Sequence, residues 1–298
     1  MTVFQAYISG LQTTFRNWRM WLLLYALNFL FALLLVYPLS GFLTEKLSTT
    51  LAIDKLATGF DYSIFNDILN EYGDTIGAFY NLSTFAALFY LLFSVFVVGG
   101  ILNVFLHHKT STNLANFWSG AGNYFWRILR LTFYFIIIHS LVAFIFMQIY
   151  GFFTAGGFDN YDSEKYLWQV AYVILPIYLF VATIFFMIQD YAKIHIVHSD
   201  EKWITQPILQ AFRFVFKNLG KTLLLYFLNL LTFLVVFFIY WKINGPLGPN
   251  SILLAFIIGQ AFILFRIASK LWNLGSAVAW FELKKSPTTF TVRDKNNV

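Results

Sequence analysis

Six stretches of the chain contain no Lys, Arg, Asp or Glu, and each is long enough to cross a lipid bilayer as a helix. They are residues 20–44, 75–106, 131–158, 166–189, 222–241 and 243–265. About 20 predominantly apolar residues cross the hydrocarbon core of a bilayer. Hydrophobic residues also make up 59% of the chain and charged residues 11%, against about 45–50% and 25% in soluble domains. The sequence therefore predicts an all-α, polytopic membrane protein, a bundle of six transmembrane helices.

The basic residues predict the orientation of this bundle. An even number of crossings leaves both termini on one side, and 16 of the 20 Lys and Arg residues lie on that side. Because basic loops stay in the cytoplasm, we expect both termini to be cytoplasmic. The net charge of +6 is spread over several loops at the predicted membrane edge. This distribution favours contact with membrane lipids over contact with nucleic acid.

A repeated motif indicates internal duplication. The run LLLYALN at 22–28 returns as LLLYFLN at 223–229, which is an offset of 201 residues. A second offset, of 111 residues, superposes Asn28 on His139. We therefore predict one membrane domain, 1–298, made of three hairpin repeats at 1–108, 109–200 and 201–285, with an extracytoplasmic insertion at 45–82 and a polar tail at 286–298.

A short segment rich in aromatic and basic residues precedes the first crossing of each predicted repeat. The three segments are 5–19, 116–130 and 206–221, and apolar residues recur in them at helical spacing. Such a segment is typical of an amphipathic helix that lies in the cytoplasmic interface of a membrane. Its basic side chains would then contact lipid headgroups. The candidate contacts are Arg16, Arg19, Arg127, Arg130, Arg213, Lys217 and Lys221.

Three polar residues lie inside the predicted crossings at matching positions. Asn28, His139 and Asn229 are each about 10 residues from the cytoplasmic end of their helix, so they lie at similar depth. Polar side chains at such depth face the interior of a bundle. Two interpretations stay open: a polar belt along a substrate path, or hydrogen bonds that fasten helices together.

Charged residues mark the cytoplasmic ends of the fourth and sixth crossings. The last crossing is expected to start after Pro249, and only 16 uncharged residues, 250–265, separate that point from Arg266, so a full crossing must include Arg266 and reach Lys270. Asp190 ends the fourth crossing at comparable depth. Because an isolated charge is costly in a membrane, the sequence predicts an Asp190–Arg266 pair. The alternative is that Arg266 and Lys270 extend toward the headgroups.

Recognisable catalytic and cofactor motifs are missing from the sequence. There is no cysteine, no phosphate-binding G-x-x-x-x-G-K-[ST] loop, no H-E-x-x-H and no G-x-S-x-G. We therefore expect no cofactor, no metal site and no enzymatic activity. Residues 45–82 contain apolar residues at helical spacing and are predicted to form one or two amphipathic helices that bind a protein partner. Residues 155–165 and 244–250 are predicted turns.

The segment 186–230 resembles a known group of families. The run IQDYAKIHIV at 188–197 is followed by ILQAFRFVFKN at 208–218. This order resembles uncharacterised bacterial six-helix membrane families, including the membrane domain associated with glycerophosphodiester phosphodiesterases. The resemblance implies a bacterial inner-membrane protein in a lipid-related setting, and it carries over no catalytic residue.

Three functions are compatible with these features. The first is a non-enzymatic scaffold or accessory subunit that binds lipid or a membrane-protein partner. The second is a small secondary transporter or lipid translocator whose polar path includes Asn28, His139, Asn229, Asp190 and Arg266. The third is an enzyme acting on lipid headgroups, for which the sequence offers no nucleophile and base.

Overall fold

A computed structural model describes residues 2–47, 61–107, 114–154, 165–247 and 251–285. Eight α-helices account for nearly all of these residues, and the described part contains no strand. They are α1 (Val3–Arg16), α2 (Trp18–Phe42), α3 (Tyr62–His107), α4 (Leu114–Phe153), α5 (Lys165–Ser199), α6 (Thr205–Lys217), α7 (Leu219–Leu247) and α8 (Ile252–Lys285). One π-helical turn, Leu43–Leu47, extends α2.

Six of the described helices are long and apolar enough to cross a membrane, which confirms the number predicted from the uncharged runs. These six are α2, α3, α4, α5, α7 and α8. Most of them exceed the length that a bilayer requires. Helix α4 has 40 residues, which is about 60 Å, whereas the hydrocarbon core is about 30 Å thick. The chain is thus a multi-pass membrane protein whose helices extend well beyond one bilayer thickness.

The chain forms two compact units. Unit 1 comprises Met1–Arg16, Val95–Leu230 and Leu271–Val298, and unit 2 comprises Asn17–Ser94 and Leu231–Lys270. All buried hydrophobic side chains among the described residues belong to unit 1, except Met20 and Leu24. In unit 1 many of these buried side chains lie at the helix ends that are predicted to be cytoplasmic, for example at 95–106 and 271–281. These side chains form the packed core of unit 1.

Close backbone approach explains two glycines of unit 1, Gly100 and Gly120. A Cβ on Gly120 of α4 would lie 2.3 Å from Cβ of Asn103 in α3, and a Cβ on Gly100 of α3 would lie 2.6 Å from the carbonyl oxygen of Phe117. Asn103 also donates a hydrogen bond of 2.9 Å to the carbonyl oxygen of Asn116. Small residues thus allow α3 and α4 to pack with their backbones close together.

Hydrogen bonds and aromatic rings connect the helices of unit 2. Trp21 of α2 donates to the carbonyl oxygen of Leu264 in α8 at 2.9 Å, and the hydroxyl of Tyr25 donates to Oε1 of Gln260 at 2.8 Å. The ring of Phe31 in α2 lies 5.2–5.8 Å from three aromatic rings of α3. Large apolar side chains on the other faces of these helices are exposed, as expected for surfaces that contact lipid.

Two predicted boundaries are wrong. Residues 116–130 do not form a separate helix, since they are continuous with the third predicted crossing in α4. Within this segment, Gly120 allows close contact with α3. Residues 244–247 belong to α7 rather than to a turn, because glycine and proline in its last turn do not end the helix.

Some predictions fall outside the described residues. They concern 48–60 of the predicted insertion, 155–164 and 248–250 of the predicted turns, and the tail 286–298. The remaining part of the insertion, from Tyr62, is the first part of α3, which is kinked at Tyr72 (φ −118°, ψ 24°).

Candidate functional site

Each of the three matching polar residues contacts the other helix of its own predicted hairpin. Asn28 of α2 accepts a 2.6 Å hydrogen bond from the hydroxyl of Tyr90 in α3. The ring of His139 in α4 stacks on Phe186 of α5 with 4.1 Å between ring centroids. Nδ2 of Asn229 in α7 donates a 3.1 Å hydrogen bond to Oγ of Ser276 in α8. The three side chains occupy contacts between paired helices.

The spacing of these contacts is regular along the chain. Phe186 follows His139 by 47 positions, and Ser276 follows Asn229 by the same 47 positions. Tyr90 follows Asn28 by 62 positions, and the longer spacing coincides with the insertion predicted in the first repeat. One helical turn before each polar residue, the side chain is buried: Leu24, Phe135 and Leu225. This regularity is what three related hairpins predict.

Both asparagines also bind their own helix. Nδ2 of Asn28 donates to the carbonyl oxygen of Leu24 at 2.7 Å, and Nδ2 of Asn229 donates to that of Leu225 at 2.9 Å. Nε2 of His139 is buried and has no hydrogen-bond partner among the described residues. Each of the two asparagines therefore binds both its own helix and the paired helix.

Asp190 lies in a cluster of three side chains in unit 1. Nζ of Lys193 donates to Oδ1 of Asp190 at 3.0 Å, and the hydroxyl of Tyr226 in α7 donates to Oδ2 at 3.0 Å. The side chains of Lys193 and Asp190 are only 15% and 19% exposed. The cluster therefore joins α5 to α7 and leaves no unbalanced charge, which is the condition for a charge at this depth.

Arg266 and Lys270 lie on one exposed face of α8, in unit 2. The predicted Asp190–Arg266 pair connects residues of different units and stays a prediction. Their exposure supports the alternative, in which both side chains extend toward lipid headgroups.

The predicted headgroup contacts have different surroundings. Arg127 forms an ion pair with Asp200 and lies over the ring of Tyr124 at 5.5 Å. Nε of Arg130 donates to the carbonyl oxygen of Trp126 at 3.3 Å. Arg19 lies over the ring of Trp18 at 5.6 Å. Among the seven residues, Arg127 alone is drawn into an ion pair that competes with headgroup binding.

The basic residues of α6 lie on its exposed face. Arg213 and Lys217 are exposed, whereas Ala211 and Val215 of the same helix are buried. Lys221 is exposed in the first turn of α7. Arg16 is also exposed, at the end of α1. These four residues remain available to headgroups.

An apolar groove lies between α4 and α5 in unit 1. Its volume is 360 Å³, and its lining residues are Ala143, Phe146, Met147, Tyr150, Ala171, Ile174, Leu175 and Tyr178. The rings of Phe146 and Tyr178 meet across it at 5.5 Å. The hydroxyl of Tyr150 reaches the carbonyl oxygen of Leu167 at 3.5 Å. Contacts between the two helices therefore frame the groove.

Reasoning from the sequence missed Lys193 and Tyr226 as partners of Asp190, and it missed the groove. A signal for Tyr226 was present, since the 201-residue offset superposes it on Tyr25. Both tyrosines donate to an oxygen of another helix. The groove has no signal in the sequence, because its residues are ordinary members of two apolar runs.

Comparison with family models, with curated proteins and with solved structures finds no match to this chain. The resemblance stated above therefore stays a prediction. Among the described residues, no group of three or more His, Asp or Glu side chains could hold a metal ion.

Proposed function

We propose that the protein is a non-enzymatic scaffold of the bacterial cytoplasmic membrane that binds lipid. The observation that carries the proposal is the apolar groove between α4 and α5, which lies within the uncharged runs 131–158 and 166–189. A volume of 360 Å³ falls within the range of small-molecule ligand sites, about 300–1,000 Å³. None of its eight lining side chains is charged.

An acyl chain is the occupant that these properties favour. Both helices cross the membrane in the proposed arrangement, so the groove opens to hydrocarbon rather than to water. Apart from the hydroxyls of Tyr150 and Tyr178, the lining offers no polar side-chain group to orient a water-soluble substrate. Phe146 and Tyr178 close one part of the groove with their rings, which gives a bound chain a defined contact surface.

The contacts of the polar residues support a scaffold over a transporter. A transport path requires polar side chains that are free to bind a substrate. Asn28, Asn229 and Asp190 are instead engaged by Tyr90, Ser276 and Tyr226. The proposal includes cytoplasmic termini, interfacial helices α1 and α6, and three hairpins. The regular spacing of the contacts within the hairpins supports the three-hairpin arrangement.

Photolabelling tests the groove. The purified protein is reconstituted with a phospholipid that carries a photoreactive diazirine in its acyl chain, and labelled peptides are identified by mass spectrometry. We expect labelling within 143–150 and 171–178. The variant Ala171→Trp should fill the groove and reduce this labelling severalfold.

Ala87→Trp is the matched control, because Ala87 is an exposed alanine of another apolar run. It should leave labelling of the groove unchanged. Equal labelling of wild type and Ala171→Trp would contradict the proposal. Transbilayer exchange of a labelled phospholipid, measured in the same vesicles, should equal that of protein-free vesicles; faster exchange would favour a translocator.

A further inference from the structure

Helix α4 carries a polar side chain on its surface inside an apolar run. Gln148 lies in the uncharged run 131–158 and is exposed. Its side-chain amide makes no hydrogen bond with any residue that the structure describes. Five further uncharged residues, 149–153, complete the helix after it. The amide therefore faces hydrocarbon, which offers it neither a donor nor an acceptor.

The surface around Gln148 has a shape that receives a side chain from another helix. A depression of 440 Å³ is lined there by six residues of α4 alone, which are Phe144, Ile145, Gln148, Ile149, Phe152 and Phe153. Four of these residues have the spacing i, i+3, i+4 and i+7, namely 145, 148, 149 and 152. This is the set that surrounds an inserted side chain when two helices pack by knobs into holes. The depression therefore fits the side of a second helix.

The exposed face continues along α4 with the spacing of a helix-packing seam. Its positions follow one another at alternating steps of four and three residues, and they are Tyr134, Ile138, Leu141, Ile145, Gln148 and Phe152. All six are exposed except Ile138, which is half-buried. Such spacing keeps one stripe toward a partner helix at the crossing angle that is common in membrane bundles. Helix α4 thus has a second packing face besides the one that contacts α5.

This seam lies on the opposite side of α4 from the α4–α5 groove. Phe146 lines the groove and is two residues before Gln148, which places it about 200° around the helix. His139, which stacks on Phe186 of α5, is nine residues before Gln148 and is also about 180° away. A helix that covers the seam therefore leaves the groove open.

We propose that the seam binds the same seam in a second copy of the chain, so that the protein is a homodimer. Copies inserted in one membrane share their orientation, so a two-fold axis between them runs along the membrane normal and brings the two α4 helices together in parallel. Residues near such an axis meet their own counterparts at equal depth. Gln148 then meets Gln148 of the partner subunit. A primary amide carries donors and an acceptor, so this pair is self-complementary.

Hydrogen bonding distinguishes a second copy from lipid as the occupant of the seam. An acyl chain fills the depression but leaves the amide of Gln148 without a partner. Apolar packing alone gives little preference for protein over lipid, so polar side chains contribute much of the specificity between helices in a membrane. One polar residue in a seam also fixes the register of the two helices. The inference goes beyond the proposed function and does not depend on the α4–α5 groove.

Disulfide cross-linking tests the contact, because the chain has no cysteine of its own. The full-length variant Leu141→Cys is reconstituted in vesicles of phosphatidylethanolamine and phosphatidylglycerol and oxidised with copper phenanthroline. Leu141 is seven residues before Gln148 on the same seam, so most of this variant should become a disulfide-linked dimer.

Leu179→Cys is the matched control for cross-linking. Leu179 of α5 is 53% exposed, against 57% for Leu141, and each lies about 10 residues from the predicted cytoplasmic end of its uncharged run. Leu179 does not line the α4–α5 groove. It should give severalfold less dimer than Leu141→Cys, and equal cross-linking of the two variants overturns the inference.

Substitution of Gln148 tests the amide itself. Förster transfer between copies that carry donor and acceptor fluorescent proteins at the C-terminus is measured in the same vesicles at decreasing ratios of protein to lipid. Gln148→Leu should weaken dimerisation about tenfold, as for one or two hydrogen bonds between helices in a membrane, and Gln148→Asn should retain part of the affinity. Gln169→Leu, at an exposed glutamine of α5 in another uncharged run, should leave the affinity unchanged.

The possible results separate this inference from the proposed function. Gln148 is exposed, so its substitution removes no contact from the core, and the thermal midpoint measured in parallel verifies folding. Copies that stay monomeric at every dilution, or a dimer that is as stable with Gln148→Leu as with Gln169→Leu, overturn the inference. Photolabelling of the α4–α5 groove is unaffected by either result, since the groove lies on the other side of α4.

Discussion

Asp190 receives its hydrogen bonds from Lys193 of its own helix and from Tyr226 of α7. Tyr25 is the residue that the 201-residue offset superposes on Tyr226, and it donates to the neutral amide of Gln260. Both tyrosines therefore donate a hydrogen bond to another helix, one to a charged acceptor and the other to a neutral one. The pair allows the stability contributions of the two kinds of hydrogen bond to be compared within a single chain.

Removing the two hydroxyls should have unequal effects. Tyr226→Phe removes a hydrogen bond to a carboxylate, which contributes about 1.5–3 kcal/mol, whereas Tyr25→Phe removes a neutral one, which contributes about 0.5–1.5 kcal/mol. We expect the larger loss of stability for Tyr226→Phe in thermal or denaturant unfolding in detergent. An equal or smaller loss would mean that the hydrogen bond from Tyr226 to Asp190 contributes little to the free energy of unfolding.

Asp200 ends α5 in the left-handed region, with φ of 51°, and its carboxylate pairs with Arg127. Aspartate tolerates this conformation better than alanine does. Its side chain is 72% exposed, so we expect the ion pair to contribute less than about 1 kcal/mol.

Substitutions at Asp200 should separate the backbone effect from the charge. Asp200→Gly removes the ion pair but also removes the steric cost of the positive φ. Asp200→Ala removes the ion pair and keeps that steric cost. We expect Asp200→Ala to be less stable than Asp200→Gly by about 1 kcal/mol, and Asp200→Asn to lie between them. Unfolding midpoints measured in one detergent provide the comparison, and the reverse order would contradict it.

At the scale of whole helices, α1 and α6 have related buried faces. Ala6, Gly10 and Thr14 are buried in α1, and the residues 201 positions later, Pro207, Ala211 and Val215, are buried in α6. The corresponding segment of the predicted second repeat differs, because residues 116–130 continue directly into α4. In this segment Gly120 allows α4 to lie close against α3.

Two glycines of α4 offer a matched test of the close contact between α3 and α4. A Cβ on Gly120 would lie 2.3 Å from Cβ of Asn103, whereas a Cβ on Gly122 would meet nothing within 4 Å. Gly120→Ala should destabilise the protein by about 1–3 kcal/mol through overpacking. Gly122→Ala should stabilise it by up to about 1 kcal/mol, because alanine is the better helix former.

The two variants are compared by thermal unfolding in the same detergent. Equal effects of both substitutions would contradict a close α3–α4 contact at Gly120. A stabilised Gly120→Ala variant would show that the backbones of α3 and α4 do not approach closely at this glycine.

The sequence predicted features that depend on local composition and repetition. Six crossings follow from runs without charge, and the matching positions of Asn28, His139 and Asn229 follow from the two offsets. The partners Tyr90, Phe186 and Ser276 could not be predicted, because which faces of two helices meet depends on tertiary packing. The same holds for Arg16, whose predicted contact with headgroups did not indicate that it shares a cavity with Glu282.

At the scale of the whole molecule, the distribution of basic residues predicts the orientation. The sequence assigns 16 of the 20 Lys and Arg residues to the side of the termini, and it assigns Lys46, Lys55, Lys165 and Lys242 to the opposite side. Basic loops stay in the cytoplasm, so both termini are expected there.

Reporter fusions test this orientation directly. An enzyme that is active only in the cytoplasm should be active when fused after residues 110, 200 and 285, because 16 of the 20 basic residues lie on that side. An enzyme that is active only outside the cytoplasm should be active at 52 and 160. The paired reporters control for expression at every site. Activity of the cytoplasmic reporter at residue 52 would show that the bundle has the opposite orientation.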